Sequence, residues 1–203
     1  MNQYAIHYEK TSAIWQLSDT LLQHIPFNHP NLVFCCIGTD RSTGDALGPL
    51  VGSNLIEKSN FPYKIMGTLE MPFHALNLQD QLRALYKLSP APYIVAIDAC
   101  LSSEENVGYI FAEDGPIYPG KAFNKQLPPV GQFSIKAVVN IGGFIENTTL
   151  QNTRLFVTQQ MSHTISEAIY LAWQRSELEI KHYRHYYTDN QNSWQQVGYA
   201  DFS

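Results

Sequence analysis

Apolar runs of strand length alternate with helix-like segments along the chain, and this alternation constrains the fold more than any other feature. Three runs have the continuous hydrophobicity of parallel strands covered on both faces: Leu32–Ile37, Tyr63–Leu69 and Tyr93–Ile97. Between them, Ala46–Ile56 and the leucines of Leu78–Leu88 have helical spacing. Repeated strand and helix units with short connections predict an α/β fold, with a mostly parallel sheet between two helical layers.

Further elements are predicted on both sides of this pattern. Apolar spacing from Ile14 to Leu22 predicts that the chain opens with a helix, and Val107–Phe111 predicts another strand, antiparallel to its neighbour. Ile135–Ile145 fits both types: its β-branched residues favour a strand, whereas its apolar spacing and its place in the alternation favour a helix, which we prefer. Arg154–Thr158 is then expected to be a strand, and Ser162–Arg175 a final amphipathic helix.

The length of 203 residues fits one domain, which we assign to residues 1–176. Residues 177–203 form a polar and aromatic tail without clear periodicity, and its tyrosines leave a homo-oligomer contact open. The segment Asp114–Pro129 is rich in Pro, Gly and Lys. We expect it to be a long loop beside the functional site.

Charge and composition exclude several classes of protein. The net charge is −5 and the 13 Lys and Arg residues are scattered, so the chain lacks the basic face of a nucleic-acid binder. It has neither an N-terminal signal pattern nor an apolar stretch of the roughly 20 residues that span a bilayer. We therefore expect a cytoplasmic protein.

Three cysteines occur in the chain, all in apolar, strand-like runs and without metal-ligand spacing. They are Cys35, Cys36 and Cys100. Free cysteine in such runs usually packs as a small hydrophobic residue, so we expect burial rather than reactivity.

Chemistry is expected in the glycine-rich segment Gly38–Pro49, which joins the first apolar run to the helix after it. Ligands of an open parallel sheet bind outside the carboxyl ends of the strands. Two acids stand there: Asp45 at the start of the helix, and Asp98 directly after Ile97. If the two strands are neighbours, the carboxyl groups converge, and a close pair works with one member as acid and the other as base. The alternative for Asp45 is a helix-capping carboxylate.

Other polar residues near these strand ends are candidates for substrate contact. The backbone N–H groups of the loop and its hydroxyl and guanidinium side chains suit an anionic group, whereas Asp40 fits a turn-forming role. Ser134 and Lys136 are weaker candidates for substrate contact or for tuning the acid pair, and for Lys136 a solvated side chain is preferred. The loop lacks the ending of a phosphate loop and the GxGxxG spacing, and the histidines do not form a metal-ligand set. The predicted substrate-binding residues are Gly38, Thr39, Arg41, Ser42, Thr43, His74 and Ser134.

Four segments together resemble the sporulation protein YyaC family. They are Cys36–Gly52, Ile97–Leu101, Val139–Phe144 and Leu150–Leu155, and the resemblance extends over about residues 30 to 175. That family is similar to the germination protease that degrades small acid-soluble spore proteins. Its fold is shared with hydrogenase-maturation endopeptidases, a three-layer, phosphorylase/hydrolase-like architecture. The resemblance therefore implies the same α/β/α fold that the alternation predicts.

The resemblance also assigns roles to the two acids. Asp45, before Ala-Leu-Gly-Pro, matches one catalytic Asp of the germination protease, and Asp98 matches the segment that holds the second. Hydrogenase-maturation enzymes bind nickel through carboxylates at these two positions and a His in a later loop. Here that loop, Pro129–Ser134, has no His. The resemblance thus implies an aspartate-type endopeptidase without a metal cofactor, acting on a protein or peptide in the sporulating cell or spore, with small acid-soluble spore proteins as candidate substrates.

Two rival hypotheses stay open at this point. One is a noncatalytic binding or regulatory protein that keeps the acidic loop for a ligand. The other is a metal-dependent hydrolase with the metal on Asp45 and Asp98 and with His74 nearby. Carboxyl groups close together in a cleft that solvent reaches favour hydrolysis, whereas a blocked cleft favours binding.

Overall fold

The computed structural model describes residues 3–119, 127–143 and 146–197, and side chains up to residue 182 with Asn147 excepted. It contains one six-stranded sheet in the order β1-β5-β6-β4-β2-β3. The strands are β1 (Gln3–His7), β2 (Leu32–Cys36), β3 (Lys64–Met66), β4 (Tyr93–Ser102), β5 (Tyr109–Asp114) and β6 (Phe133–Ile141). The helices are α1 (Ala13–His24), α2 (Leu47–Ile56), α3 (Leu78–Leu88), α4 (Glu146–Gln151) and α5 (Leu155–Val197).

Four neighbouring strands, β3, β2, β4 and β6, are parallel to one another. The last two strands on the side of β6 each run antiparallel to the strand before them. β2 pairs in parallel with both β3 and β4, and β4 pairs in parallel with β6. β5 runs antiparallel to β6, as predicted for that strand, and β1 is antiparallel to β5. The predicted α/β fold with a mostly parallel sheet is confirmed.

Helices cover both faces of the sheet, which gives the three layers. On one face, α1, α2 and α5 pack against side chains such as Phe34, Ile97 and Ile135. On the other face, α3 packs with Leu82 against residues that alternate with these along the same strands, such as Val33 and Cys35. β2 is fully buried because both of its faces are covered, which explains its continuous apolar sequence.

Three predictions about the elements are wrong. The helix predicted from Ile14 to Leu22 is confirmed as α1, but the chain does not open with it, because β1 precedes α1 and pairs with β5. The segment from Ile135 is the strand β6 rather than a helix. Its side chains alternate, with Ile135, Ala137 and Val139 on the face covered by α1, α2 and α5, and it pairs with strands on both sides. Arg154–Thr158 is not a strand, since α5 begins at Leu155.

The reason for the last error lies in the buried face of α5. Thr158, Met161, Ser162 and Ile165 are fully buried at helical spacing, and two of them are small polar residues that a hydrophobicity pattern misses. The predicted helix Ser162–Arg175 is confirmed as part of α5. The helix continues past residue 176, where the tail was predicted to start, and the tail tyrosines Tyr183, Tyr186 and Tyr187 have side chains outside the described residues.

None of the helices in the described part of the chain has the length and apolar character needed to cross a membrane. The predicted loop Asp114–Pro129 is described at its two ends only, where Ile117 and Val130 form a bridge.

Candidate active site

A cleft of about 250 Å³ opens at the carboxyl ends of β2 and β4. Both predicted acids, Asp45 and Asp98, line it. They come together because β2 and β4 are parallel neighbours in the sheet: Asp45 lies on the loop that follows β2, and Asp98 follows Ile97, the partner of the last residue of β2. The residues that line the cleft are Ile37, Gly38, Thr39, Arg41, Asp45, His74, Ala75, Leu76, Asp98 and Pro119.

Asp45 is held by a loop that turns back tightly after β2. The N–H of Thr39 donates to the carbonyl of Asp45 (N to O, 3.1 Å), and the N–H of Gly44 donates to Leu150 O (2.9 Å). Gly38 has a φ of +137°, and a Cβ there would lie 2.0 Å from Asp45 O. Only glycine fits this position, so the loop sequence fixes where Asp45 lies.

The capping role considered for Asp45 is not observed. α2 begins at Leu47, with Ala46 at the capping position and no side-chain hydrogen bond to the free N–H groups. Close packing fixes the start of this helix instead, because a Cβ at Gly48 would lie 2.0 Å from Ile37 O. The carboxyl group of Asp45 is therefore free to face the cleft.

Asp98 is held by the sheet itself. It lies within β4, between β2 and β6, and its direct partner on β6 is Lys136. The β2–β4 ladder continues past β2 with a hydrogen bond from Ile37 N–H to Ile97 O (2.7 Å). The backbone position of Asp98 is thus set by hydrogen-bonded strands on both sides.

The two carboxyl groups have different proton affinities. Burial raises the pKa of Asp45 to about 6, although a backbone hydrogen bond from Thr39 and the charge of His74 oppose the rise. Burial, together with the negative charge of Asp45, raises the pKa of Asp98 well above its usual value, opposed by a hydrogen bond from Ala99 and by the charge of Lys136. At neutral pH this order leaves the proton on Asp98 and the negative charge on Asp45.

Four of the predicted substrate-binding residues line the cleft together with the acids: Gly38, Thr39, Arg41 and His74. His74 is oriented by its neighbours, since its backbone N–H donates to Asn77 Oδ1 (2.9 Å) and its Nδ1 accepts from Leu76 N–H (3.2 Å). Arg41 is exposed at the mouth of the cleft.

The other three predicted contacts do not line the cleft. The hydroxyl of Ser42 is buried without a hydrogen-bond partner among the described residues, and Thr43 Oγ1 donates to Gln151 O (3.5 Å). Ser134 is fully buried inside the sheet, where its hydroxyl donates to Glu113 O (3.4 Å). Asp40 is exposed and accepts from the hydroxyl of Thr39 (3.4 Å), in keeping with a local role in the turn.

Lys136 is not the solvated side chain that the sequence predicted. It is half-buried and forms an ion pair with Glu113 of β5. The sequence analysis missed this pair because the segment around Lys136 was assigned to a helix. Once β5 and β6 are paired, residues 113 and 136 fall on one face of the sheet, next to Asp98.

The His that serves as a nickel ligand in hydrogenase-maturation enzymes has no counterpart in Pro129–Ser134, the later loop of this chain. Within the described residues, no group of three His, Cys, Asp or Glu side chains is arranged to hold a metal ion. The described residues that line the cleft include two carboxyl groups and a single His.

The cysteines do not add a nucleophile. Cys35 and Cys36 are fully buried, as predicted, and burial raises the pKa of Cys35 to about 12. Cys100 is half-buried, and burial together with the charge of Asp98 raises its pKa to about 12. A thiol of that pKa is protonated at neutral pH and unreactive.

The similarity to a curated relative agrees with the resemblance seen in the sequence. The chain is 42% identical over 151 residues to the uncharacterized protein YyaC of Bacillus subtilis (strain 168), covering 72% of this chain and 74% of YyaC. Among solved structures, it is similar to the [NiFe] hydrogenase maturation protease HycI from Thermococcus kodakarensis KOD1, with 17% identity and a TM-score of 0.46, covering 73% of this chain and 97% of that one.

A family model matches residues 5–168, which include most of β1 and every residue that lines the cleft. The protein therefore belongs to DUF1256, a family described as proteins of unknown function.

Proposed function

We propose that the protein is an aspartate-type endopeptidase that hydrolyses a peptide bond of a protein substrate with Asp45 and Asp98. One observation carries the proposal: two carboxyl groups of unequal, raised pKa line one cleft. Such a pair holds an acid and a base side by side at neutral pH, which is what water-mediated amide hydrolysis requires.

The reaction follows from the protonation states. Asp45, ionised above pH about 6, takes a proton from a water molecule in the cleft while the water oxygen bonds to the scissile carbonyl carbon. Asp98 gives its proton to the carbonyl oxygen, which becomes a hydroxyl group of the tetrahedral intermediate. The intermediate then collapses: the C–N bond breaks, the amine leaves with the proton held by Asp45, and the hydroxyl proton returns to Asp98.

The walls of the cleft suit a polypeptide. Ile37, Leu76 and Pro119 supply an apolar lining, and the Leu76 side chain is 74% exposed in the free protein. Arg41 and His74 add donors that can bind backbone carbonyls or an acidic side chain of a substrate. With the resemblance to the YyaC family, this supports a role in sporulation or germination, in the cytoplasm of the sporulating cell or in the spore, on small acid-soluble spore proteins.

The test is a cleavage assay of purified protein against small acid-soluble spore proteins, with products identified by mass spectrometry. Asp45→Asn and Asp98→Asn should each lower the cleavage rate by about 10²- to 10⁴-fold, the usual contribution of a general acid or base. Asp40→Asn is the matched control, since it removes an exposed acid from the same loop outside the cleft.

Unchanged cleavage in either site variant would refute the catalytic assignment. A parent protein that binds these substrates without cleaving them, with binding weakened by Arg41→Ala, would instead support the noncatalytic binding role.

A further inference from the structure

An ion pair lies beside the acidic pair and has no part in the reaction as proposed so far. Lys136 of β6 is directly opposite Asp98 of β4 in the parallel register. Its ammonium group contacts Glu113 Oε1 of β5, and the two side chains are 32% and 22% exposed. An ion pair as buried as this is not an ordinary surface contact, because two charges are partly removed from water.

We propose that Lys136 is a positioning residue for the carboxyl pair: held in place by Glu113, its ammonium group limits how tightly Asp98 holds its proton. This inference rests on the proposed function, in which Asp98 must both carry a proton and give it up. An acid that no cation opposed would keep its proton through the catalytic cycle.

The charges around Asp98 come from several elements. Asp45, on the loop before α2, raises the pKa of Asp98, and Lys136 on β6 lowers it. Cys100, two residues along β4, is protonated at neutral pH, while His74 acts on Asp45 across the cleft. Lys136 is the cation directly opposite Asp98 in the sheet, and its charge favours the ionised form of Asp98 against the effects of burial and of Asp45.

Because of Glu113, the proposal predicts shifts of opposite sign in the pKa of Asp98, which can be tested. Its negative charge offsets part of the charge of Lys136, so the two residues act on Asp98 with opposite sign. Removing Lys136 leaves Glu113 unopposed near the acidic pair and should raise the pKa of Asp98. Glu113→Gln keeps a side-chain oxygen that can hold Lys136 but removes the negative charge, so Lys136 is unopposed and the pKa of Asp98 should fall. A purely structural ion pair predicts no such opposition, because either loss breaks the same contact.

The experiment is a ¹³C NMR titration of protein labelled at the Asp carboxyl carbons, with the Asp98 signal identified by its loss in Asp98→Asn. Lys136→Met should move the Asp98 titration up by about one pH unit, and Glu113→Gln should move it down. Lys136→Arg keeps the charge and should restore the parent value. The matched control is Lys58→Met, which breaks a similarly half-buried pair with Glu167 at α5, outside the cleft, and should leave Asp98 unchanged.

Shifts in the same direction, or no shift in either variant, would overturn the inference. If Lys136→Met does not fold, Glu113→Gln decides the matter: a downward shift supports the inference, and an upward shift or none refutes it. The titration needs no substrate, so opposite shifts in a protein that cleaves nothing would support the role of Lys136 while refuting the endopeptidase. In a protein that cleaves, Lys136→Met should also move the alkaline limit of the pH–rate profile upward.

Discussion

The two acids of the cleft are supported by different kinds of structure. Asp45 lies on a loop whose shape depends on close backbone contacts at Gly38 and Gly48. Asp98 lies within a strand, where hydrogen-bonded neighbours on both sides set its position. The loop acid has its pKa raised to about 6, and the strand acid has its pKa raised further.

This difference gives one cleft two carboxyl groups of the same residue type with different proton affinities. The strand acid is surrounded by protein, so the protonated form is favoured there. The negative charge of the loop acid raises the pKa of the strand acid further, whereas Thr39 and His74 favour the charged form of the loop acid. Substitutions in the loop should therefore mainly change the position of Asp45, whereas substitutions around the strand should mainly change the proton affinity of Asp98.

The largest effect on stability is expected from Gly38→Ala, which disrupts the close backbone contact that positions Asp45. The new Cβ would lie 2.0 Å from Asp45 O at a positive φ, so the backbone must shift and carry Asp45 with it. We expect a loss of unfolding free energy of roughly 3 kcal/mol or more, from backbone strain and overpacking together. Chemical denaturation measures it.

Gly115→Ala is the control for this change. Gly115 also has a positive φ, +121°, but nothing lies within 4 Å of the position that the new methyl group would take. The variant Gly115→Ala should lose only the part of the unfolding free energy that comes from backbone strain, about 1 kcal/mol. Equal losses in the two variants would show that close contact with Asp45 does not shape the loop.

The second effect concerns how the free energy of unfolding depends on pH, and it should differ between the two acids. Because the pKa of Asp45 is raised in the folded protein, its contribution to stability is complete below about pH 4 and is lost as pH rises to about 6. Asp45→Asn should remove this loss and gain about 2 kcal/mol at pH 7 relative to the parent, allowing for its partial exposure. Asp98→Asn should act in the same direction but over a higher pH window.

Denaturant titrations from pH 4 to 9 test this pattern. Identical pH windows for the two variants would mean that the loop and the strand do not give the acids different proton affinities.

A smaller effect is expected from Ser134→Ala, on the strand that supports Asp98. The Ser134 hydroxyl makes one hydrogen bond inside the sheet and does not reach the cleft, so the variant should lose about 1 kcal/mol of stability and keep its cleavage rate. Thermal unfolding and the cleavage assay together test it. A large loss of substrate affinity with normal stability would restore Ser134 as a substrate contact.

The smallest effect is expected from His74→Gln. When its ring is protonated, His74 lowers the pKa of Asp45, so His74→Gln should raise that pKa slightly. A carboxyl NMR titration of Asp45 at low and high salt measures the change. A shift in the opposite direction would mean that His74 acts on Asp45 by a route other than its charge.

Sequence reasoning reached the two acids because their signals are local. Each follows a continuous apolar run, and such a run marks a strand buried on both faces whatever its neighbours are. It failed for the segment around Lys136, since a short apolar run fits a buried strand and a buried helix equally well. With that strand missed, the Lys136–Glu113 pair could not be found, because its members are adjacent only through strand pairing.

The sequence by itself determined the α/β architecture, the glycine-rich loop and the choice of Asp45 and Asp98, because hydrophobic periodicity and backbone freedom are properties of short segments. Only the tertiary structure decided that β2 and β4 are neighbours, that Ser134 lies inside the sheet, and that Lys136 stands opposite Asp98. These depend on strand order and register, which are set by the packing of the whole core. The difference in pKa between the two acids arises at that level too, because burial and nearby charge exist only once the chain has folded.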